Sequence, residues 1–215
     1  MLSMMSMGTL MKESMLLKDR ILIDNVIADD AYMLDLVHSM KQGVCLEIDY
    51  QRYGQTEVQT YIIAPYCLKM CNRRWYVLGK TDDDKFYIFS VDRIKHITKT
   101  SVKFVLDKNF APEHYFKDCY GVVTSNEVPC EHIVLRVLGN TRYYLRDLPL
   151  HHSQTVLKRT EEYSDITLDL RPTIDFMSEI LSYGPYIKVM EPKWLADNIK
   201  KTLLLTAAMY DDASL

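Results

Sequence analysis

Residues 73–93 combine aromatic rings with guanidinium groups, a pairing of side chains that can hold an anion carrying a flat π-face. In an extended chain side chains alternate between faces. Arg74, Tyr76 and Leu78 therefore share one side of a strand, and Arg73, Trp75 and Val77 the other. On the next run Tyr87, Phe89 and Val91 share a face. Tyrosine and phenylalanine rings beside arginine offer stacking to a base and charge to a phosphate. Stacking is worth about 1–3 kcal/mol per base, so two rings bind a nucleotide usefully. A plainer role stands beside this one: Trp75 as core, Tyr76 packed under a loop.

Other chemistries lack their patterns. Cys67 and Cys71 are spaced neither as C-x-x-C nor with a matching second pair, and His151 and His152 have no partner, so zinc is not expected. Asp82, Asp83 and Asp84 fall in a turn and lack the ligand spacing of a calcium loop. The sequence contains no G-x-S-x-G, no H-E-x-x-H and no P-loop, and no nucleophile has an identifiable base. The expectation is recognition rather than catalysis, with no cofactor and no metal.

The elements that must position the rings are strands. Residues 61–68, 74–80 and 85–91 are rich in Tyr, Ile, Val, Phe and Trp, with turn-like breaks at Asn72 and Arg73 and over residues 81–84. Ahead of them, Asp29 or Asp30 can cap a helix over residues 31–41, with Met33, Leu36, Val37 and Met40 as its apolar stripe and Gly43 as its end. Residues 44–53 alternate, with Val44, Leu46, Ile48 and Tyr50 on one side. Residues 92–99 give a further strand, Ile94 and Ile97 inward, which is expected to close a barrel. Residues 102–126 hold five aromatics among charges and read as a packed linker. From Cys130 a second module reads βαββαβα: strand 133–138, a short helix from Thr141, a hairpin about Glu161 and Glu162, and a helix capped by Thr173. Strand 186–190 and a last helix burying Leu195, Ile199 and Leu203 complete it. Residues 1–29 read as a helical connector.

The 215 residues carry a net charge of −3, which gives no global reason for nucleic-acid binding. Residues 38–101 alone are net positive, ten basic side chains against seven acidic, which permits an anionic ligand. No apolar run approaches the roughly 20 residues of a membrane span. The Met-rich start lacks the layout of a signal peptide, and five irregularly spaced cysteines fit free thiols in a reducing cytoplasm.

Pro65, Tyr66, Cys67 and Leu68, then residues 74–79 with Trp75, Tyr76 and Val77, then Phe89, Ser90, Val91, Asp92, Arg93 and Ile94 resemble in order the signature of the WYL domain. The region from 130 on resembles the extension that commonly follows such domains, including Tyr183, Gly184, Val189 and Pro192. The resemblance implies an α+β chain: an Sm-like (SH3-like) β-barrel over residues 30–101, a packed linker over 102–126 and a ferredoxin-like module over 127–215. It implies the sensing part of a bacterial transcription regulator, homodimeric, that binds a nucleotide-like or other anionic effector. DNA would be met only through a winged helix-turn-helix module ahead of residue 1, a pattern not visible in residues 1–29; the alternative is a stand-alone accessory protein binding RNA or single-stranded DNA.

Arg93 falls on the family's Asp-Arg-Ile element and is the most specific basic position. Its guanidinium suits bidentate phosphate binding, or it pairs with Asp92. The candidate ligand residues are Arg93, Tyr76, Arg74, Tyr87, Phe89, Tyr50 and Ser90. The family usually places further basic residues, and a His before the Pro, where this chain has Tyr87, Ser90 and Ala64. Phosphate neutralisation dominates polynucleotide affinity, so a small anion is favoured over a long strand.

Overall fold

The computed structural model describes residues 31–124 and 127–211. The connector expected over residues 1–29, with the proposed caps Asp29 and Asp30, lies outside them. The described chain is a mixed α+β fold of two antiparallel sheets and five helices. Helix α1 (Met33–Gln42) buries Leu36, and Gly43 ends it at φ 60°, its N–H bonding the Ser39 carbonyl. That left-handed cap is open to glycine at little cost.

Strands β1 (Val44–Tyr50), β2 (Gln59–Cys71), β3 (Arg74–Thr81), β4 (Phe86–Ser90) and β5 (Ile94–Lys103) follow. They are ordered β4-β3-β2-β1-β5. The hairpin turn at Asn72 and Arg73 is where the sequence puts it, with φ 47° and 64°, the positive pair that a tight two-residue connection requires. The expected barrel closure at residues 92–99 is not made by hydrogen bonds. β5 pairs with β1 alone and β4 with β3 alone. A 3-10 turn at Val91–Arg93 lifts the chain off β4 and carries it across to β1, which leaves β4 an edge strand.

Leu46, Ile48, Ile63, Val77 and Phe89 meet Leu36 of α1 in the core of this sheet. Near Tyr66 a smaller cluster forms: its ring meets Phe86 edge-on at 5.0 Å and Phe110 at 4.9 Å. The aromatic linker, with the one-turn helix α2 (Pro112–Tyr115), is therefore packed on the sheet.

The second sheet follows the βαββαβα order read from the sequence: β6 (Glu131–Leu138), α3 (Thr141–Asp147), β7 (Thr155–Arg159), β8 (Tyr163–Leu170), α4 (Ile174–Ser182), β9 (Ile187–Glu191) and α5 (Lys193–Asp211). Its strand order is β7-β8-β6-β9, every neighbour antiparallel. Ile133, Leu135 and Val137 alternate along β6 and meet Phe176, Ile180, Leu195 and Ile199 of the two longer helices. Burying each such side chain stabilises the fold by roughly 1.5–3 kcal/mol. Two expectations fail. Thr173 is the N-cap of α4 but its hydroxyl makes no cap bond, and Leu203 is 46% exposed because α5 runs beyond the sheet after Ile199.

Candidate functional site: a hollow along the β4 edge

A hollow of about 590 Å³ lies against the unpaired side of β4, between the end of β1, the linker and the first turn of α4. Tyr50, Tyr76, Tyr87, Phe89, Ser90 and Arg93 all line it; Arg74 does not. The rings do not share one face of the sheet. The register sets Tyr76 opposite Ser90 and Val77 opposite Phe89, so Tyr76 lies on one face of the sheet and Tyr87 and Phe89 on the other. They reach one hollow because β4 is an edge, and a cavity along an edge is open to both faces.

Several of these residues serve as floor. Phe89 and Tyr50 are buried and meet edge-on at 5.1 Å. The Ser90 N–H donates to the Tyr50 hydroxyl at 3.2 Å, and the Ser90 hydroxyl donates to Asp92. Tyr76 and Tyr87 are half-buried. Burial pushes the Tyr76 phenol above its ordinary pKa, so it is protonated and available as a donor at neutral pH.

Arg93 is held over a ring. Its guanidinium carbon lies 4.4 Å from the centroid of Tyr53 and 5.9 Å from that of Tyr50. Asp92, the alternative partner, is taken by Arg74 at 3.6 Å and by Ser90. That carboxylate raises the Arg74 pKa and holds Arg74 outside the hollow. Arg93 thus keeps its charge without a carboxylate partner among the described residues, and its buried Nε has no hydrogen-bond acceptor there. A buried donor left unmade costs about 1–3 kcal/mol, more when charged.

Sequence reasoning missed Arg52, Tyr53, Asp175 and the linker wall at Val122, Val123 and Thr124. Arg52 and Tyr53 repeat the basic–aromatic pairing at the end of β1, a signal that could have been read. Asp175 carries no local signal. Its Oδ2 accepts from the Val122 N–H at 2.9 Å and the Val123 N–H at 3.0 Å, which pins the linker to the first turn of α4. A carboxylate is also favoured there by the helix dipole. Gly121, at φ 80°, makes room, since a Cβ would run into that carboxylate. Elsewhere, burial raises the thiol pKa of Cys67, Cys71 and Cys119. Among the described residues no cluster of His, Cys, Asp and Glu is placed to hold a metal ion, and no helix is long and apolar enough to cross a membrane.

Residues 31–99 match the WYL domain and residues 130–206 the WCX domain. The chain is a WYL-domain protein in which a WCX domain follows the WYL domain. Among solved structures it is similar to proteasome accessory factor B/C (PafBC) of Arthrobacter aurescens, at 23% identity and a TM-score of 0.38, over 86% of this chain and 28% of that one. It is also similar to a CRISPR Cas-related protein, at 11% identity and a TM-score of 0.49, over 82% of this chain and 50% of that one. The chain thus spans half or less of the length of either protein. No curated protein matches it significantly.

Proposed function

We propose that this chain is the effector-sensing and dimerising part of a bacterial WYL-type transcription regulator, and that its effector is a small nucleotide-like or other anionic molecule held along the β4 edge. In this reading the five-stranded sheet is an opened Sm/SH3-like barrel over residues 30–101, and the second module, residues 127–215, is ferredoxin-like; its strand order supports that. The observation that carries the proposal is Arg93. It lines the hollow with its guanidinium braced on Tyr53, and among the described residues it has no ion-pair carboxylate and its buried Nε has no acceptor. A phosphate would satisfy it through a charge-assisted bond, while Tyr76 and Tyr87 flank the body of the ligand.

The reading is of binding, not catalysis, in a cytoplasmic protein. The ion balance favours a small ligand over a polynucleotide: among the described residues Arg52, Arg93 and Asp175 are the charged groups lining the hollow, too few cations to track a phosphate backbone. DNA would be met through a module outside this chain. Effector binding acts on such a module only by unequal affinity for two arrangements of paired subunits. The second copy is the natural partner for α5, whose Leu204, Leu205 and Met209 are 61%, 61% and 75% exposed. Large apolar side chains exposed together on one stretch of helix mark a surface that packs against something, and twofold pairing covers both copies at once.

Calorimetric titration with nucleoside monophosphates, cyclic dinucleotides and short single-stranded DNA tests the proposal. Saturable binding of a mononucleotide-sized ligand, weakened at least tenfold in Arg93→Ala, supports it. No binding by any of these, or binding indifferent to Arg93→Ala, refutes the site. Affinity that falls steeply with salt and grows with strand length favours a polynucleotide ligand instead.

A further inference from the structure

A second hollow, of about 350 Å³, lies in the C-terminal module between α3 and the β7–β8 hairpin. It exists because α3 is only seven residues long and leaves the sheet face near edge strand β7 uncovered. Its floor is apolar: Val137, Leu145 and Ile166 present core side chains, and Val156, 42% exposed, extends them outward. Its rim is cationic. Arg142 is fixed in place, with Nη1 donating to the Thr160 carbonyl at 2.8 Å and Nη2 to the Tyr143 hydroxyl at 3.0 Å, its guanidinium 4.9 Å from the Tyr143 centroid. Yet the buried Nε of Arg142 has no acceptor among the described residues.

We propose that this hollow is a second ligand site, for a small single-headed anion with an apolar body, such as a medium-chain carboxylate. The head follows from Arg142: it lines the cavity with a buried Nε that has no acceptor among the described residues, and a carboxylate oxygen would complete it with a charge-assisted hydrogen bond. One head is enough for the charge present. Arg146 is already bound bidentately to Asp147 at 2.6 and 3.0 Å, and Glu161 on the same rim offsets the charge of Arg159. A di- or triphosphate would lack countercharge. The body follows from the floor, since a hydrated inorganic ion would leave that apolar surface in water. The volume sits at the small end of the range for small-molecule sites. This site is distinct in place and chemistry from the β4 hollow, and neither depends on the other.

The test uses the full chain, octanoate as probe, and ¹⁵N–¹H spectra that include arginine Nε–H resonances. Octanoate is expected to shift the Arg142 Nε–H and the amides of residues 154–160 saturably. Octylammonium, with the same body and opposite charge, and inorganic phosphate, with no body, are expected to do neither. R142Q should weaken octanoate binding at least tenfold, as loss of a charge-assisted bond implies. V156W fills the hollow from an exposed position and should abolish binding in a folded protein. Equal binding of octylammonium, binding by phosphate alone, or octanoate binding that survives V156W would overturn the proposal.

Discussion

Replacing Asp175 by asparagine is expected to destabilise the fold and tighten effector binding at once. The carboxylate accepts two backbone N–H groups of the linker, at 2.9 and 3.0 Å, and also faces the β4 hollow from which Arg93 is to bind an anion. Asparagine keeps one acceptor oxygen but loses the charge, so the linker bonds fall from charge-assisted to neutral. That costs about 1–2 kcal/mol over the pair. Asp175→Ala removes the acceptor altogether and costs about 2–4 kcal/mol, because both amides then lose their partner. For the ligand the sign reverses. A like charge lining the same hollow, taken at an order-of-magnitude separation of about 8 Å and an effective dielectric between 20 and 80, contributes roughly 0.5–2 kcal/mol of repulsion, so Asp175→Asn should tighten anion binding by about 2–30-fold. Urea denaturation reads the first effect and calorimetric titration the second. If Asp175→Asn weakened nucleotide binding while remaining folded, Asp175 would belong to the ligand's own contacts, and the reading of the hollow as an anion site anchored on Arg93 would fail.

Other consequences are checkable one by one. Arg136 holds the nearly buried Asp165 at 2.8 and 3.0 Å. Arg136→Ala should therefore lower the denaturant midpoint of unfolding, since it leaves a carboxylate without its partner; an unchanged midpoint would show the pair idle. The bond to Arg136 lowers the Asp165 pKa, so its stability is complete above the unfolded value near 4 and lost as pH falls through the folded one; Asp165→Asn should flatten that acid limb. His151 behaves alike for another reason. Its Nε2–H donates to the Lys117 carbonyl at 2.8 Å, and burial with the neighbouring His152 lowers its pKa. Its neutral form thus supports the fold fully above the unfolded value of about 6.5, and that support fades as pH drops through the folded value; an NMR titration giving a pKa above 6.5 would contradict this. Leu204→Glu with Met209→Glu should convert a dimer into a monomer in sedimentation at tens of micromolar, and an already monomeric wild type would exclude α5 as the dimer contact.

Much of the fold was legible because local signals and tertiary needs agree. The alternation of Ile133, Leu135 and Val137 and the turn at Asn72 and Arg73 are set within a few residues, and the structure keeps them. What stayed hidden depends on register and on distance along the chain. Alternation says that Tyr76 and Phe89 each have a face, but only the pairing of Tyr76 with Ser90 says that the two faces differ. Barrel closure was misread because the pattern of residues 92–99 marks a strand without naming its neighbour; the 3-10 turn takes it to β1 rather than β4. The wall of the hollow joins Val122 to Asp175 across 53 positions, and no short-range pattern can announce such a contact. Leu203 was assigned to the core by its spacing from Leu195 and Ile199, but the sheet ends before the helix does.

The Nε–H of Arg93 gives the most direct test of the β4 hollow as an effector site. With ¹⁵N-labelled protein, its resonance can be followed as a nucleoside monophosphate is added. A downfield shift that saturates together with shifts at Tyr53 and Thr124, and that vanishes in Arg93→Lys, is the expected result. An Arg93 Nε–H that stays put while the nucleotide saturates another part of the chain would contradict it.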